Sequence, residues 1–495
     1  MRLLKALALA AAILLPIGVA SAQDSEITIA RQVSTSAMDP GFLREAATIV
    51  DNIFDTLVMR DKDMTLVPGL AESWTAIDDT TWEFKLRQGV KFHNGEAFNA
   101  DAVKFTIDRI IDPNAKSPTL SYIRTISSVE VVDPYTVRIK TSGPDPLLPT
   151  RMSRYPAYIV PPGYVKEVGN DVFASKPVGT GPYKFVEFIP DQHVVLEANP
   201  DYWRGKPLIQ RVTWRAIPDG TARLTALVTG EVDLIENVPV DLAPIIAQSP
   251  DADLVQVKNG GLTIYLGLVM NEKPLDNVKV RQALDLAIDR QSIVTNILQG
   301  MATPTGTQVG VADFGYLNIP PAPYDPEKAK KLLAEAGFPE GFSIKMQSTH
   351  RYMKDGEVAQ AIAQQFGDIG VKIDQEVLDW SVYVQQVPRK GPIFMLGWGS
   401  TQTLDADAAV YAIMKTGEPY STASIPELDK LLDQSREIVD PAARKLVLEN
   451  IQKLAAEQAP LLPLYQEDAL YGKAKKVNFQ GRPDARIPVF DITMQ

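Results

Sequence analysis

The chain has 495 residues, of which 45% are hydrophobic, with 50 basic and 61 acidic residues, no cysteine and three histidines. This length suffices for more than one domain and for a core that needs no disulfide. The absence of cysteine excludes disulfides, thiolate metal sites and thiol nucleophiles. The net charge of −11 disfavours nucleic acid or an anionic membrane surface as the main partner.

The first 22 residues have the pattern of a signal peptide. Arg2 and Lys5 give a basic start, and residues 6–19 form an apolar run too short to span a bilayer. Residues 20–22 (Ala-Ser-Ala) offer a cleavage site, so we expect the mature chain to begin at Gln23. No later stretch is long and apolar enough for a membrane span, and no cysteine is present to carry a lipid. The sequence therefore predicts a freely soluble periplasmic protein.

Residues 70–110 predict a strand, a turn and a helix. Apolar side chains alternate with charged ones along residues 82–87, which is the pattern of a half-buried strand. Residues 93–95 (His-Asn-Gly) form a turn signal. Asn99 is placed to cap a helix whose apolar side chains recur on one face of residues 103–110.

Helices and strands alternate in the second half of the chain. The predicted elements are a helix from Asp325 to Gly337, a strand at 342–346, a helix at 357–366, a strand at 371–373 and a helix that begins at Asp440. A repeated β-α-β order indicates an α/β lobe.

Further segments carry a family resemblance. They are residues 177–183, 199–207, 225–234 and 280–290. Together with residues 70–110, they resemble in order and spacing the large extracytoplasmic solute-binding proteins of peptide-type ABC importers, the bacterial family 5 group. The resemblance covers essentially the whole mature chain. It implies a monomer that performs no chemistry, needs no cofactor, captures a small solute and delivers it to an inner-membrane permease with cytoplasmic ATPases.

The resemblance also implies an α/β fold of the type II periplasmic binding protein kind, with two lobes, a cleft and an extra domain. The implied division is domain I at residues 23–58, 200–262 and 464–495, the extra domain II at 59–199, and domain III, which forms the second lobe, at 263–463. We expect the chain to pass between the lobes near residues 263–271 and 461–471, as a two-strand hinge that closes around the ligand.

The resemblance implies that charged residues in lobe 2 bind the ends of a peptide ligand. A zwitterion enclosed between lobes needs an opposite charge at each end. Arg351 matches the position at which dipeptide-binding relatives bind the ligand carboxylate, and an Arg fork suits that group. Asp405 matches the position that meets the ligand amine, with Asp407 second. The loop before them is one residue longer than the family pattern, which leaves the chemical type of the ligand open.

Three uncharged residues are candidates for the wall of the cleft. Trp398 offers an aromatic wall, with core packing as the alternative. Met38 lies in an early loop that faces the cleft in the family, although Asp39 beside it precedes a proline and favours a simple turn. Tyr420 lies in a loop from which it reaches the cleft or remains on the surface.

Other classes of function stay open at this point. Relatives also carry opines, oligosaccharides and metal complexes, and His350 beside Arg351 keeps a metal complex open. A secreted hydrolase that uses Asp405 and Asp407 as an acid–base pair is a more distant alternative. The chain has no Gly-x-Ser-x-Gly or His-Glu-x-x-His motif, and its histidines lack metal-ligand spacing. We expect a structural hydrogen-bonding role for His93.

Overall fold

The computed structural model describes residues 25–33, 35, 37–43, 48–387, 391–399 and 403–495. The expected signal peptide at residues 1–22 lies outside this range. Within the described part of the chain, no helix has the length and apolar character needed to cross a membrane.

The strands form three main sheets and two short two-stranded sheets. In chain order they are β1 (Glu26–Arg31), β2 (Val58–Arg60), β3 (Leu66–Pro68), β4 (Ala71–Asp78), β5 (Thr81–Leu86), β6 (Ile126–Asp133), β7 (Thr136–Thr141), β8 (Tyr183–Ile189), β9 (His193–Ala198), β10 (Arg211–Ala216), β11 (Leu234–Glu236), β12 (Ala252–Val257), β13 (Thr263–Leu268), β14 (Ala302–Pro304), β15 (Phe342–Ser348), β16 (Val371–Val377), β17 (Ile393–Trp398), β18 (Leu461–Glu467), β19 (Ala469–Ala474), β20 (Val477–Asn478) and β21 (Thr493–Met494).

The α-helices cover the faces of these sheets or connect them. In chain order they are α1 (Ala100–Ile111), α2 (Leu120–Ile123), α3 (Leu148–Arg151), α4 (Pro162–Val168), α5 (Asn170–Ser175), α6 (Gly220–Val228), α7 (Ala243–Ala247), α8 (Val278–Leu286), α9 (Arg290–Ser292), α10 (Pro326–Glu335), α11 (Asp355–Asp368), α12 (Trp380–Gln386), α13 (Ala406–Met414), α14 (Pro426–Glu437) and α15 (Pro441–Gln458).

Two of the main sheets form the part of the molecule that we call lobe 1. The seven-stranded sheet has the order β12-β19-β11-β1-β10-β9-β8, and β1 runs parallel to both of its neighbours. The four-stranded antiparallel sheet has the order β4-β5-β7-β6 and packs under α1 around a core of its own. Each sheet therefore supports a separate hydrophobic cluster within lobe 1.

The six-stranded sheet forms lobe 2. Its order is β14-β18-β13-β17-β15-β16, with β15 parallel to both β16 and β17. Helices α8, α10 and α11 bury one apolar cluster with it, and α13, α14 and α15 bury a second one. Because β15 and β17 are parallel, their carboxyl ends open at the same edge, where ligand sites form in open α/β sheets.

The predicted local elements are confirmed. The alternating segment is β5, and the predicted helix is α1, in which the Asn99 side chain accepts a hydrogen bond from the Ala102 N–H. Helix α10 starts at Pro326, with Asp325 as its cap, and ends before Gly337 at φ +92°. Helices α11 and α15 and strands β15 and β16 are also present where they are expected.

His93 has the structural role that we expect. Its Nδ1 accepts a hydrogen bond from the Gly179 N–H (3.2 Å), so its Nε2 carries the proton and donates to the Gly181 carbonyl (2.9 Å). Burial lowers the pKa of His93 to about 4. The glycines are required here, because a Cβ at Gly179 would lie 2.1 Å from the Ile53 carbonyl oxygen. The turn therefore shapes lobe 1.

The chain crosses between the lobes twice, in adjacent segments. The first crossing is residues 258–262, between β12 and β13, and the second is Asp468, between β18 and β19. The backbones of Gly261 and Glu467 are hydrogen-bonded (2.8 Å), and the Asp468 carboxylate accepts from the Asn259 N–H (2.9 Å) and pairs with Lys258 (2.8 Å). These contacts join the two crossings into one hinge.

Candidate functional site

The loop after β15 presents Arg351. Asp355, the first residue of α11, accepts hydrogen bonds from the N–H groups of Arg351 (2.8 Å) and Tyr352 (2.9 Å), which fixes the loop. The Arg351 side chain is exposed, and its guanidinium carbon lies 4.7 Å from the centre of the Trp380 ring. It forms no ion pair with a carboxylate in the described part of the chain. Its two-pronged donor set is therefore available for a ligand carboxylate.

A series of aromatic contacts leads from Trp380, on which Arg351 stacks, to the ends of β15 and β17. The Tyr352 ring meets the Trp380 ring edge to face at 6.1 Å. Tyr352 also packs on Gly397, where an added Cβ would lie 2.6 Å from the tyrosine ring. Next to Gly397, the half-buried Trp398 contacts Tyr420 at 5.1 Å between ring centres. The structure therefore brings Arg351, Trp398 and Tyr420 to the same region of lobe 2.

Asp405 and Asp407 already have partners in lobe 2. Asp405 caps α13, and both of its oxygens lie 2.7 Å from the guanidinium of Arg444. The side chains of this pair are only 4% and 3% exposed. Asp407 forms a similar two-pronged pair with Arg436, at 2.6 and 2.9 Å. Since releasing Asp405 would leave Arg444 buried and unpaired, the geometry favours a structural role for Asp405, and Asp407 is likewise already paired. Residues 400–402, where the loop departs from the family pattern, lie outside the described residues.

Met38 belongs to the core of lobe 1. Its side chain is fully buried in the cluster that lies under the seven-stranded sheet, and its N–H donates to the Ala174 carbonyl (2.8 Å). Asp39 next to it pairs with Arg109 through both oxygens (3.1 and 2.8 Å). In this arrangement Met38 contributes packing rather than a ligand contact.

The sequence reasoning missed a buried charge pair in lobe 1. Arg31 ends β1 and Glu236 ends the neighbouring parallel strand β11, and their side chains form an ion pair at 3.3 Å. The two residues are 6% and 9% exposed. A sequence signal for this pair was present: each residue is a charged residue at the end of an apolar strand. This is the edge at which α/β sheets bind ligands. Trp380 was missed as well, although a tryptophan that opens a helix beside the Arg351 loop is such a signal.

The Arg351 loop also contacts the hinge and lobe 1. The Met353 N–H donates to the Glu467 carboxylate at the end of β18 (3.0 Å), and burial raises the pKa of Glu467 to about 7. The next residue, Lys354, forms an ion pair with Asp241 of lobe 1. The loop that carries the free guanidinium is therefore connected to the two parts that move when such a hinge closes.

Ser348 and Thr349 add unpaired polar atoms at this edge. Both residues are at most 1% exposed, and their hydroxyl groups have no hydrogen-bond partner among the described residues. A buried hydroxyl without a partner is costly. A polar ligand or water molecules would satisfy them, whereas the described residues contain no group of three side chains suited to a metal ion.

Two lobes joined by a paired crossing, with a free arginine and aromatic rings at strand ends beside the hinge, define a solute-binding protein. The chain belongs to the bacterial extracellular solute-binding proteins, family 5, because the model of that family's middle region matches residues 65–421.

Known proteins that are similar to this chain support its assignment to this family. The glutathione-binding protein GsiB of Pectobacterium atrosepticum is 32% identical over 453 residues, which cover 88% of this chain and 87% of that protein. The structure of HbpA2 from Haemophilus parasuis superposes with a TM-score of 0.86 at 26% identity, covering 95% of this chain and 100% of the other. The periplasmic binding protein DppA from Helicobacter pylori, in complex with a peptide, has a TM-score of 0.77 at 26% identity and covers 95% and 98%.

These findings confirm the predicted family, the α/β two-lobed fold and the class of function. The protein is the solute-binding component of an ABC importer, and a peptide-like ligand is consistent with its relatives.

Proposed function

We propose that the protein binds a short peptide through its carboxylate, which Arg351 holds, while Trp398 and Tyr420 form part of the wall of the site. The observation that carries the proposal is the Arg351 guanidinium: it is exposed, stacked on Trp380 at 4.7 Å and without a carboxylate partner in the described chain. A charge of this kind gains most from a ligand that supplies the missing oxygens. Asp405, Asp407 and Met38 enter the proposal as structural residues.

Glutathione is the first ligand to test. The relatives that are 30–32% identical to this chain are named glutathione-binding proteins. Glutathione is a tripeptide with two carboxylates and one amine, so it matches a site whose unpaired charge is a cation. Opines, oligosaccharides and metal complexes are the other outcomes of the test.

We further propose where the protein works and which proteins it contacts. Residues 1–22 are removed on export, and the mature protein works in the periplasm as a monomer that docks on a permease with cytoplasmic ATPases. The sheets move two of the predicted domain boundaries: domain III comprises 263–467, because β18 belongs to the six-stranded sheet, and β8 and β9 join domain I, because they belong to the seven-stranded sheet. Domain I otherwise comprises 23–58, 200–262 and 468–495, and domain II comprises the rest of 59–199. The protein performs no catalysis, in keeping with the pairing of both carboxylates of the alternative hydrolase site with arginines.

Native mass spectrometry of protein purified from the periplasm tests the ligand directly. We expect a mass increment that matches a short peptide, followed by its release and identification after unfolding. Recovery of an oligosaccharide or a sugar-derived opine would overturn the peptide proposal. A second arm incubates the protein with glutathione and follows the peptide by mass spectrometry, where steady loss of intact peptide would overturn the non-catalytic part.

A further inference from the structure

Lobe 1 contains a cavity of about 770 Å³ that is separate from the Arg351 region. Its walls come from residues 51–68, from the C-terminal segment 478–492, and from the side chains of Tyr158, Tyr202 and Arg204. No residue of 263–463 lines it. The volume lies in the range of pockets that bind small molecules.

Three arginines lie along this cavity, whose lining holds as many acidic as basic residues. Arg60, Arg482 and Arg486 line it, and the carboxylates packed against them in the described chain are Asp51 and Asp484. Both oxygens of Asp484 bind Arg482 (2.9 and 3.0 Å), and Asp51 lies 3.7 Å from Arg486. Arg482 and Arg486 therefore have carboxylate partners, whereas Arg60 forms no ion pair among the described residues.

Arg60 is the group left without a carboxylate. Among the described residues, its guanidinium donates to the carbonyl oxygens of Met64 (2.6 Å) and Thr403 (2.5 Å). Its Nε is buried and has no hydrogen-bond partner among the described residues. Burial and the nearby Arg486 lower the pKa of Arg60 to about 10, while Asp484 and Asp405 act on it through space in the opposite direction. Because buried charges are normally paired, an anion is the expected complement.

The other charged residues that line the cavity do not supply an anion for Arg60. Asp55 is buried but accepts hydrogen bonds from Thr180 (2.9 Å), Tyr202 (3.0 Å) and Trp203 (2.9 Å), so its oxygens are already used. Of the remaining lining charges, Asp61 is half-buried and the others are exposed, so that water screens them. The exposed ones are Lys62, Asp63, Arg204 and Asp491.

Aromatic rings form much of the remaining wall. They are Phe54, Tyr158, Tyr202, Phe479 and Phe490. Tyr202 and Phe490 contact each other edge to face at 5.2 Å. Such rings favour a flat apolar group placed between them.

We propose that this cavity is a second ligand-binding site, which takes a small organic carboxylate with a flat apolar body and pairs its carboxylate with Arg60. The aromatic rings would hold the apolar body. Its lining residues all belong to lobe 1 and differ from those of the peptide site, although Arg60 also donates to the Thr403 carbonyl of lobe 2.

Isothermal titration of the full mature protein with phenylacetate tests the proposal. Phenylacetamide is a neutral analogue of the same shape, and acetate lacks the ring. We expect saturable binding of phenylacetate, with phenylacetamide and acetate each weaker by about tenfold or more, since charge-assisted hydrogen bonds and ring contacts each contribute at that level. Arg60→Gln and Phe490→Leu should each weaken phenylacetate binding, while Arg351→Ala should leave it unchanged.

Phe490→Leu keeps the test valid if Arg60→Gln fails to fold, because it leaves the arginine contacts in place. Equal binding of phenylacetate and phenylacetamide, no saturable binding, or loss of binding in Arg351→Ala would overturn the proposal. A crystal structure with phenylacetate should place its carboxylate within hydrogen-bonding distance of Arg60, and density elsewhere would contradict it. Failure here leaves the peptide proposal intact, since the two sites share no residue.

Discussion

The ammonium group of Lys354 lies 2.5 Å from the carboxylate of Asp241, and this ion pair joins the ligand loop of lobe 2 to lobe 1. The Gln299 side chain of lobe 2 donates to the same carboxylate at 3.4 Å. Met353, next to Lys354, packs against the apolar clusters of both lobes. Lys354 also occupies a left-handed conformation (φ 53°) at the start of α11. The pair therefore holds the loop that carries Arg351 against the opposite lobe.

Asp241→Asn should weaken ligand binding by about two- to fivefold. The pair is partly exposed, and exposed pairs contribute about 0.2–1 kcal/mol, which the closed form would lose while the open form would not. Titration calorimetry measures the affinity, and small-angle X-ray scattering measures how far ligand addition still compacts the protein. The matched control is Asp253→Asn, because Asp253 pairs with Lys473 at 2.8 Å entirely within lobe 1. Equal effects of the two variants would show that Asp241 does not act through closure.

Asp405→Asn should destabilise the protein without a specific loss of ligand binding. Breaking a buried ion pair on one side costs about 3–5 kcal/mol, since Arg444 would remain buried without its partner. Asparagine can still cap the start of α13, so the loss of stability measures the ion pair rather than the helix cap. Urea unfolding measures the free energy, and titration well below the unfolding temperature measures affinity.

Asp407→Asn is the control for this variant. Its partner Arg436 is 30% exposed, against 3% for Arg444, so we expect a clearly smaller loss of stability. If Asp405→Asn were as stable as the unchanged protein but bound ligand more than tenfold more weakly, Asp405 would be a ligand residue, as the sequence predicted.

His93 should make lobe 1 less stable in mild acid. Burial lowers its pKa to about 4 from its ordinary value of 6.5, so in mild acid the unfolded chain binds a proton that the folded chain does not. The stability contributed by neutral His93 is fully present above about pH 6.5 and is lost as the pH falls through this window towards about pH 4. Between neutral pH and about pH 5 the loss should be about 2 kcal/mol.

Urea unfolding of His93→Gln at both pH values checks this expectation. The variant should be less stable at neutral pH but should lack this part of the pH dependence. His193→Gln is the control, because His193 is only partly buried and pairs with an exposed Glu187. If His93→Gln kept the same pH dependence as the unchanged protein, His93 would not be the group that destabilises the fold in mild acid.

Local signals explain which parts of the fold were predictable. The alternation along residues 82–87, the cap at Asn99 and the Asp325-Pro326 start act over a few residues, and each produced the expected strand or helix. The position of Arg351 after a strand was equally local. Such signals do not depend on the tertiary arrangement.

The partners of the predicted site residues were not predictable. Arg444 lies 39 residues from Asp405, and Glu236 lies 205 residues from Arg31, so only the packing of whole helices and strands decides these pairs. Asp405 has the same local sequence whether it meets a ligand amine or a buried arginine. The cavity next to Arg60 likewise forms only when the C-terminal segment folds back on residues 51–68.

Titration of Arg351→Ala with glutathione tests the central claim most directly, with Arg204→Ala as its matched control. Arg204 is an exposed arginine stacked on Phe490 at 5.0 Å in lobe 1, so it matches Arg351 in exposure and in its contact with an aromatic ring. We predict that Arg351→Ala weakens binding by about 2–5 kcal/mol, at least about thirtyfold, while Arg204→Ala binds normally. Unchanged affinity of Arg351→Ala for a ligand that the unchanged protein binds would contradict the account.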